Sequence, residues 1–140
     1  MPSILLIEDD DLFRETLAVA LTQCGYTVTQ AEDGEQGVKL FRHAPTDLVI
    51  TDIVMPNKEG IATIMELRRD HPHLGIIAIS GFVHQPALYL KIASIVGAAR
   101  TLQKPFALSE LLAAVEAVLA GTSRSNPAAR TGPLAGSASL

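Results

Sequence analysis

The feature that most constrains the fold is a regular alternation between short apolar runs and longer segments with helical spacing. Five runs have the composition of strands, and they cover residues 3–7, 26–30, 48–52, 74–79 and 99–103. Helical segments follow each run: from the acidic residues 8–11 to Gly25, then 36–43, 61–70, 86 to about 96, and 107–120. Strands that alternate with helices in this way form a parallel sheet with helices on both faces, joined by right-handed crossovers. We therefore predict a doubly wound α/β fold with a five-stranded parallel sheet and five helices.

Length and composition indicate one domain followed by a tail. A chain of 140 residues that is 48% hydrophobic can bury a sizeable core. We place the domain at residues 1–120. In residues 121–140, Gly, Ser, Ala and Pro replace the apolar pattern, so we expect a disordered C-terminal tail that cannot bury enough surface to offset its ordering entropy. A linker or a partner-binding segment is the alternative to a spare tail.

Charge and cysteine content exclude several classes of function. The chain has 11 basic and 15 acidic residues without a basic run, which argues against a nucleic-acid groove or an anionic membrane surface. No segment resembles a signal peptide or reaches the roughly 20 apolar residues that a bilayer requires. Cys24 is the single cysteine, so an internal disulfide is impossible, and we expect a buried structural thiol. These observations predict a soluble, cytoplasmic protein.

The apolar run Leu48-Val49-Ile50 is typical of a central strand buried on both faces, and it runs into Asp52. Open α/β sheets bind their ligands at the carboxyl ends of such strands. Taken alone, Asp52 could equally be a turn or cap residue. A functional role for Asp52 is favoured because other strand ends also carry polar side chains: Glu8, Asp9, Ser80 and Lys104.

Three carboxylates at one sheet edge would repel one another and raise each other's pKa unless a cation were present. Oxygen ligands at a shallow, hydrated edge suit Mg²⁺, which we predict to be held by Asp9 and Asp52. With the metal in place, a carboxylate oxygen of Asp52 can attack phosphorus as a nucleophile. Lys104 would offset charge on the transferred phosphoryl oxygens, and Ser80 could donate its hydroxyl to one of them.

Four segments in chain order carry a resemblance to a known family. They are Ile-Glu-Asp-Asp after the first strand, Asp-Leu-Val-Ile-Thr-Asp-Ile-Val-Met-Pro around Asp52, Ile-Ser-Gly after the fourth strand, and Lys-Pro-Phe from Lys104. With these motifs the sequence resembles the response regulator receiver domain of two-component signalling, the CheY-like family, over about 4–120. The resemblance implies a flavodoxin-like fold with the strand order 2-1-3-4-5.

The resemblance also implies the chemistry. Asp52 would accept a phosphoryl group from a histidine kinase, a phosphotransfer protein or a small acyl phosphate. Mg²⁺ would be held by Asp9, Asp52 and the backbone carbonyl of Val54, with Glu8 acting through water. Lys104 and Ser80 would bind the phosphoryl oxygens, and the Lys104–Pro105 peptide bond would be cis.

Phosphorylation would then switch a protein-interaction surface on the fourth helix, fifth strand and fifth helix, at about 86–120. We expect a single-domain response regulator that catalyses its own aspartyl phosphorylation and dephosphorylation but is not otherwise an enzyme. Its downstream protein target is unknown from the sequence. The fourth helix carries more apolar residues than one buried face requires: Leu88, Tyr89, Ile92 and Ile95. A partner surface or a phosphorylation-dependent homodimer interface is one explanation for them, and ordinary core packing is the alternative.

One position departs from the family, which usually has an aromatic residue three before the lysine, where this chain has Thr101. A phosphorylation-independent binding module that kept the fold is therefore an alternative reading. A second alternative is a metal-dependent hydrolase with Asp52 as nucleophile. Such an enzyme would be expected to have an acid two residues after its nucleophile, where this chain has Val54.

Overall fold

The computed structural model describes residues 2–53, 60–81 and 86–122. Strands and helices alternate along these segments. The strands are β1 (Ser3–Ile7), β2 (Thr27–Ala31), β3 (Leu48–Asp52), β4 (Gly75–Ser80) and β5 (Arg100–Gln103). The helices are α1 (Asp11–Gln23), α2 (Gly34–His43), α3 (Gly60–Asp70), α4 (Pro86–Val96) and α5 (Leu108–Thr122).

The strands form one parallel sheet in the order β2-β1-β3-β4-β5, which confirms the predicted architecture and strand order. The register pairs Ile7 with Thr51 and Asp52 with Ile79. The carboxyl ends of β1, β3 and β4 are therefore level with one another at a single edge of the sheet.

Two hydrophobic clusters cover the two faces of the sheet, because side chains alternate along each strand. On β1, Leu5 and Ile7 pack with the apolar sides of α2, α3 and α4, whereas Ile4 and Leu6 pack with α1 and α5. Every residue of β3 is buried, as the continuous apolar run predicted. The central strand is thus held rigidly between two helical layers up to Asp52.

Helix starts are fixed by aspartate caps. The Asp10 side chain accepts a hydrogen bond from the Phe13 N–H at 3.1 Å, and Asp33 accepts one from the Gln36 N–H at 2.8 Å. Because Asp33 caps it, α2 begins at Gly34, two residues before the predicted start at Gln36.

Other element bounds differ slightly from the prediction. Strands β2 and β4 lie one residue further along the chain than the ranges 26–30 and 74–79, and α5 continues to Thr122. The prediction that Cys24 is buried was wrong. Helix α1 ends at Gln23, its buried stripe ends at Leu21, and Cys24 is an exposed cap residue just before the turn at Gly25, where φ is 98°.

Several predictions fall on residues outside the described ranges. They concern the backbone carbonyl of Val54 and the tail beyond Thr122. For Leu88 and Tyr89, the structure describes the helical backbone and not the side chains. Within the described ranges, Ile95 of α4 is 74% exposed. No helix in these ranges is both long enough and apolar enough to cross a membrane.

Candidate functional site

The polar residues that the sequence placed at strand ends do meet at one edge of the sheet. Glu8 follows β1, Asp52 ends β3, Ser80 ends β4 and Lys104 follows β5. Because Ile7 pairs with Thr51, Glu8 lies level with Asp52. One carboxylate oxygen from each of Glu8, Asp9 and Asp52 lies within 4.8 Å of the others.

Lys104 is the centre of the hydrogen bonding at this edge. Its Nζ donates to Glu8 Oε1 at 2.9 Å and to Asp52 Oδ2 at 3.2 Å. The ammonium also lies 4.2 Å from the centroid of the Phe13 ring, and Phe13 packs edge-to-face against Phe106 at 6.0 Å. The Lys104 N–H donates to the Ser80 carbonyl at 2.8 Å, which holds the lysine backbone beside the end of β4. The Lys104–Pro105 peptide bond is cis, as predicted.

Burial changes the ionisation of this group of side chains. Glu8 is 1% exposed, and this burial raises the pKa of its carboxyl to about 7, although the hydrogen bond from Lys104 acts in the opposite direction. For Lys104, burial alone would lower the pKa, but the hydrogen bond to Glu8 and the charge of Asp52 raise it above its usual value. Among the described residues, Glu8 and Asp52 therefore share the Lys104 ammonium, and burial leaves the charged form of Glu8 unfavourable at neutral pH.

Ser80 is buried beside these charges without an obvious use in the fold. Within the described residues, its Oγ is the one buried side-chain oxygen or nitrogen without a hydrogen-bond partner. Buried hydroxyls are normally paired, so an orphaned one at a ligand-binding edge indicates room for an acceptor that arrives with a ligand. A phosphoryl oxygen would be such an acceptor.

The donor set fits a hard divalent cation. It consists of carboxylate oxygens alone, with Glu8 and Asp52 buried and Asp9 exposed at the rim. A cation here would offset the repulsion among these carboxylates, which Lys104 reduces only in part. The acidic cluster can therefore hold a metal ion, and the residues Glu8, Asp9 and Asp52 are the ones that would hold it.

Sequence reasoning missed Arg14, which contacts the loop that bears two of these carboxylates. Arg14 is only 8% exposed, and its guanidinium donates to the Glu8 carbonyl at 2.8 Å. A signal was present in the sequence, because this arginine occupies a position on the buried stripe of α1: Arg14, Leu17, Ala18 and Leu21. A charged residue on an apolar stripe is unusual enough to indicate a specific partner.

Comparison with known proteins agrees with the geometry. A family model of the response regulator receiver domain matches residues 4–116. The chain belongs to the response regulator receiver domain family. It is thus the receiver domain of a two-component response regulator, which confirms the resemblance derived from the four sequence segments.

The relatives that this chain resembles include a transcriptional regulatory protein and other response regulators. It is 44% identical over 69 residues to the transcriptional regulatory protein AfsQ1 of Streptomyces coelicolor, covering 49% of this chain and 31% of AfsQ1. It is 35% identical over 121 residues to the response regulator MprA of Mycobacterium sp. strain KMS, covering 86% of this chain and 51% of MprA. The receiver domain thus spans about half or less of the length of these relatives.

A solved structure shows the same fold. The crystal structure of a response regulator receiver domain protein from Clostridium thermocellum superimposes with a TM-score of 0.80 at 26% identity. The match covers 85% of this chain and 94% of that chain. The two proteins therefore share the receiver-domain fold.

Proposed function

We propose that this receiver domain is a phosphorylation switch that accepts a phosphoryl group on Asp52 in a Mg²⁺-dependent reaction. The observation that carries the proposal is the position of Lys104, whose Nζ lies 3.2 Å from Asp52 Oδ2 and 2.9 Å from Glu8 Oε1. A partly buried lysine held against two carboxylates is poised to bind the oxygens of a phosphoryl group attached to one of them.

Asp52 is suited to the role of nucleophile. It is 5% exposed at the end of the central strand, so its backbone is fixed while its carboxylate faces the edge of the sheet. A carboxylate oxygen attacks phosphorus in line, a new O–P bond forms, and the bond to the leaving group breaks. With phosphohistidine the leaving group is the imidazole nitrogen, and with acetyl phosphate it is acetate. Hydrolysis of the product returns Asp52 and inorganic phosphate.

Glu8, Asp9 and Asp52 would hold Mg²⁺, with Asp9 at the solvent side and Glu8 at the buried side. The ion supplies charge neutralisation for the phosphoryl oxygens. Lys104 stabilises the same oxygens from the β5 side, and Ser80 donates its Oγ–H, which has no partner among the described residues, to one of them. These side chains come from the ends of four neighbouring strands, with Glu8 and Asp9 both following β1, so the sheet edge itself aligns the reaction.

The proposed output is a change in the surface formed by α4, β5 and α5. A phosphoryl group adds charge and strong acceptor oxygens, and a hydrogen bond from Ser80 would draw the end of β4 toward it. Thr101 lies in the middle of β5, paired with Ala78, in place of the usual aromatic residue. We therefore infer that the signal travels through the loop after β4 and through α4. The proposed partners are a histidine kinase or phosphotransfer protein upstream and a protein target downstream, and the domain has no other enzymatic role.

The experiment that tests the proposal is intact-mass measurement after incubation with acetyl phosphate, with and without Mg²⁺. We expect one added phosphoryl group on the wild type with Mg²⁺, none without the metal, and none on Asp52→Asn. Asp47→Asn is the matched control, because it removes a carboxylate at the opposite edge of the sheet. If neither acetyl phosphate nor beryllofluoride with Mg²⁺ modifies or binds the wild type, the phosphorylation-independent binding module becomes the better interpretation.

A further inference from the structure

Arg14 carries a positive charge into a part of α1 that otherwise packs against the sheet. Its neighbours on the same stripe are Leu17, Ala18 and Leu21, and its own side chain is 10% exposed. Burying a guanidinium is unfavourable unless its donors are paired. The hydrogen-bond partners of the guanidinium therefore indicate the role of Arg14.

The guanidinium joins three separate parts of the chain. Nη1 donates to the Glu8 carbonyl at 2.8 Å, Nη2 donates to Asp11 Oδ1 at 2.7 Å, and Nε donates to Gln30 Oε1 at 3.2 Å. These acceptors lie just after β1, in the first turn of α1 and on β2. Arginine can make all three contacts at once because its donors are arranged in a rigid fork.

The contact with Glu8 fixes the peptide group that links the two acidic residues of the proposed metal site. The Glu8 N–H already donates to the Ala31 carbonyl at 3.0 Å, and Arg14 binds the Glu8 carbonyl from the other side. The Asp10 N–H donates to Glu8 Oε2 at 3.0 Å. The orientation of the Glu8–Asp9 peptide bond is thus set by Arg14, and with it the direction in which Asp9 leaves the strand.

We propose that Arg14 is a positioning residue for the metal site, holding the Glu8–Asp9 peptide so that both carboxylates face Asp52. The inference rests on the proposed function, since it concerns the affinity of that site for Mg²⁺. Arg14 acts through geometry, because it binds the Glu8 carbonyl and the Asp11 carboxylate and leaves the Glu8 carboxylate to Lys104. Groups that orient metal ligands commonly change metal affinity 10- to 100-fold when they are removed.

The test compares Arg14→Gln, Arg14→Lys and the matched control Arg42→Gln. Arg42 also donates to a carboxylate at 2.7 Å, that of Glu66, but it bridges α2 and α3 on the surface, outside the cluster of strand-end side chains. Mg²⁺ affinity is measured by titration calorimetry without a phosphodonor, at a temperature where circular dichroism shows every variant folded. We expect about tenfold weaker binding for Arg14→Gln, an intermediate loss for Arg14→Lys, and wild-type affinity for Arg42→Gln.

Two further measurements separate positioning from a general loss of structure. In the phosphorylation assay, Arg14→Gln should need more Mg²⁺ for half-maximal rate but approach the wild-type rate when Mg²⁺ saturates. In the metal-free protein, amide hydrogen exchange should accelerate at Asp10, whose N–H is bonded to Glu8, and not at the core of β4. If Arg14→Gln does not fold, Gln30→Ala and Asp11→Asn take its place, because each removes one hydrogen bond of Arg14. Each should weaken Mg²⁺ binding, by less than the roughly tenfold expected from loss of all three contacts.

Wild-type Mg²⁺ affinity in a folded Arg14→Gln or Arg14→Lys would overturn the positioning role. The same would follow if Gln30→Ala and Asp11→Asn both bound Mg²⁺ as the wild type does, or if Arg42→Gln lost as much affinity as the Arg14 variants. Absence of Mg²⁺ binding by the wild type itself would instead refute the metal site in the proposed function. The two failures are therefore distinguishable in one series of titrations.

Discussion

The two ends of the parallel sheet use charged side chains in opposite ways. At the amino end, Arg68 donates to the carbonyls of Pro72 at 2.7 Å, Gly97 at 2.8 Å and His71 at 3.3 Å. These acceptors are backbone groups near the ends of α3 and α4, so the charge completes the hydrogen bonding of the fold. At the carboxyl end, Glu8, Asp52 and Lys104 face one another.

The difference separates charges that stabilise the fold from charges that the fold has to accommodate. A cation bound to backbone carbonyls at helix ends is favoured by the helix dipole and by hydrogen bonding. A buried carboxylate is unfavourable, and Glu8 shows this in its pKa, which burial raises most and the charge of Asp52 raises further. Removing charge at the amino end should therefore cost stability, whereas removing it at the carboxyl end should cost function instead.

The largest expected effect concerns the backbone that supports the carboxyl end. A Cβ on Gly60, the first residue of α3, would meet the Asp52 carbonyl oxygen and Ile53 Cα. Backbone atoms cannot yield as a flexible side chain can, so Gly60→Ala should lower the free energy of unfolding by more than about 3 kcal/mol and displace Asp52. Urea denaturation measures the loss.

Gly121→Ala is the control for this substitution. A Cβ at Gly121 in α5 would meet no atom within 4 Å, and alanine favours a helix over glycine by roughly 0.5–1 kcal/mol. We expect unchanged or slightly raised stability. Equal stability of Gly60→Ala and the wild type would show that the start of α3 does not constrain Asp52 and would weaken the contrast between the two ends.

The next largest expected effect is the pH dependence of folding stability that Glu8 causes. Its pKa is about 7 in the folded protein, against an ordinary value of 4.5 in the unfolded chain. The folded state therefore keeps the proton more tightly, and the contribution of Glu8 to stability is complete below pH 4.5 and is lost as the pH rises through about 7. The total change is on the order of 3 kcal/mol.

The measurement compares wild type with Glu8→Gln in EDTA, from pH 4 to pH 8.5. Since glutamine does not titrate, the variant should gain stability relative to the wild type as the pH rises. Glu15→Gln, on the exposed side of α1, should track the wild type at every pH. Parallel curves for wild type and Glu8→Gln would mean that Lys104 fully compensates Glu8, and the carboxyl end would then resemble the amino end.

The sequence predicted the sheet and most of the site because each depends on a local pattern. Apolar runs that alternate with helical segments allow a parallel α/β sheet, and the strand ends then bring Glu8, Asp52, Ser80 and Lys104 to one edge. The strand order came from the family resemblance. Two features were not predictable. The exposed cap position of Cys24 depends on the exact residue at which α1 ends, and the hydrogen bonds of Arg14 depend on Gln30 of β2, a residue distant in sequence.

The smallest expected effect tests the amino end. Arg68→Gln removes a half-buried cation that binds carbonyls on two loops, and its shorter side chain cannot reach both. We expect a loss of about 1.5–3 kcal/mol in the free energy of unfolding, since hydrogen bonds that involve a charged group contribute roughly this much. Gly97 has φ of 130° and lies against the Arg68 side chain, so Gly97→Ala should be destabilising for a separate, steric reason.

Arg69→Gln is the matched control, because this neighbouring arginine is exposed and forms its ion pair with Asp70 at 3.1 Å. It should leave stability almost unchanged. Mg²⁺ affinity should be the same in Arg68→Gln, Arg69→Gln and the wild type, since neither arginine contacts the acidic cluster. A loss of Mg²⁺ affinity in Arg68→Gln would show that the two ends of the sheet are coupled. Charges at the amino end would then affect function as well as stability.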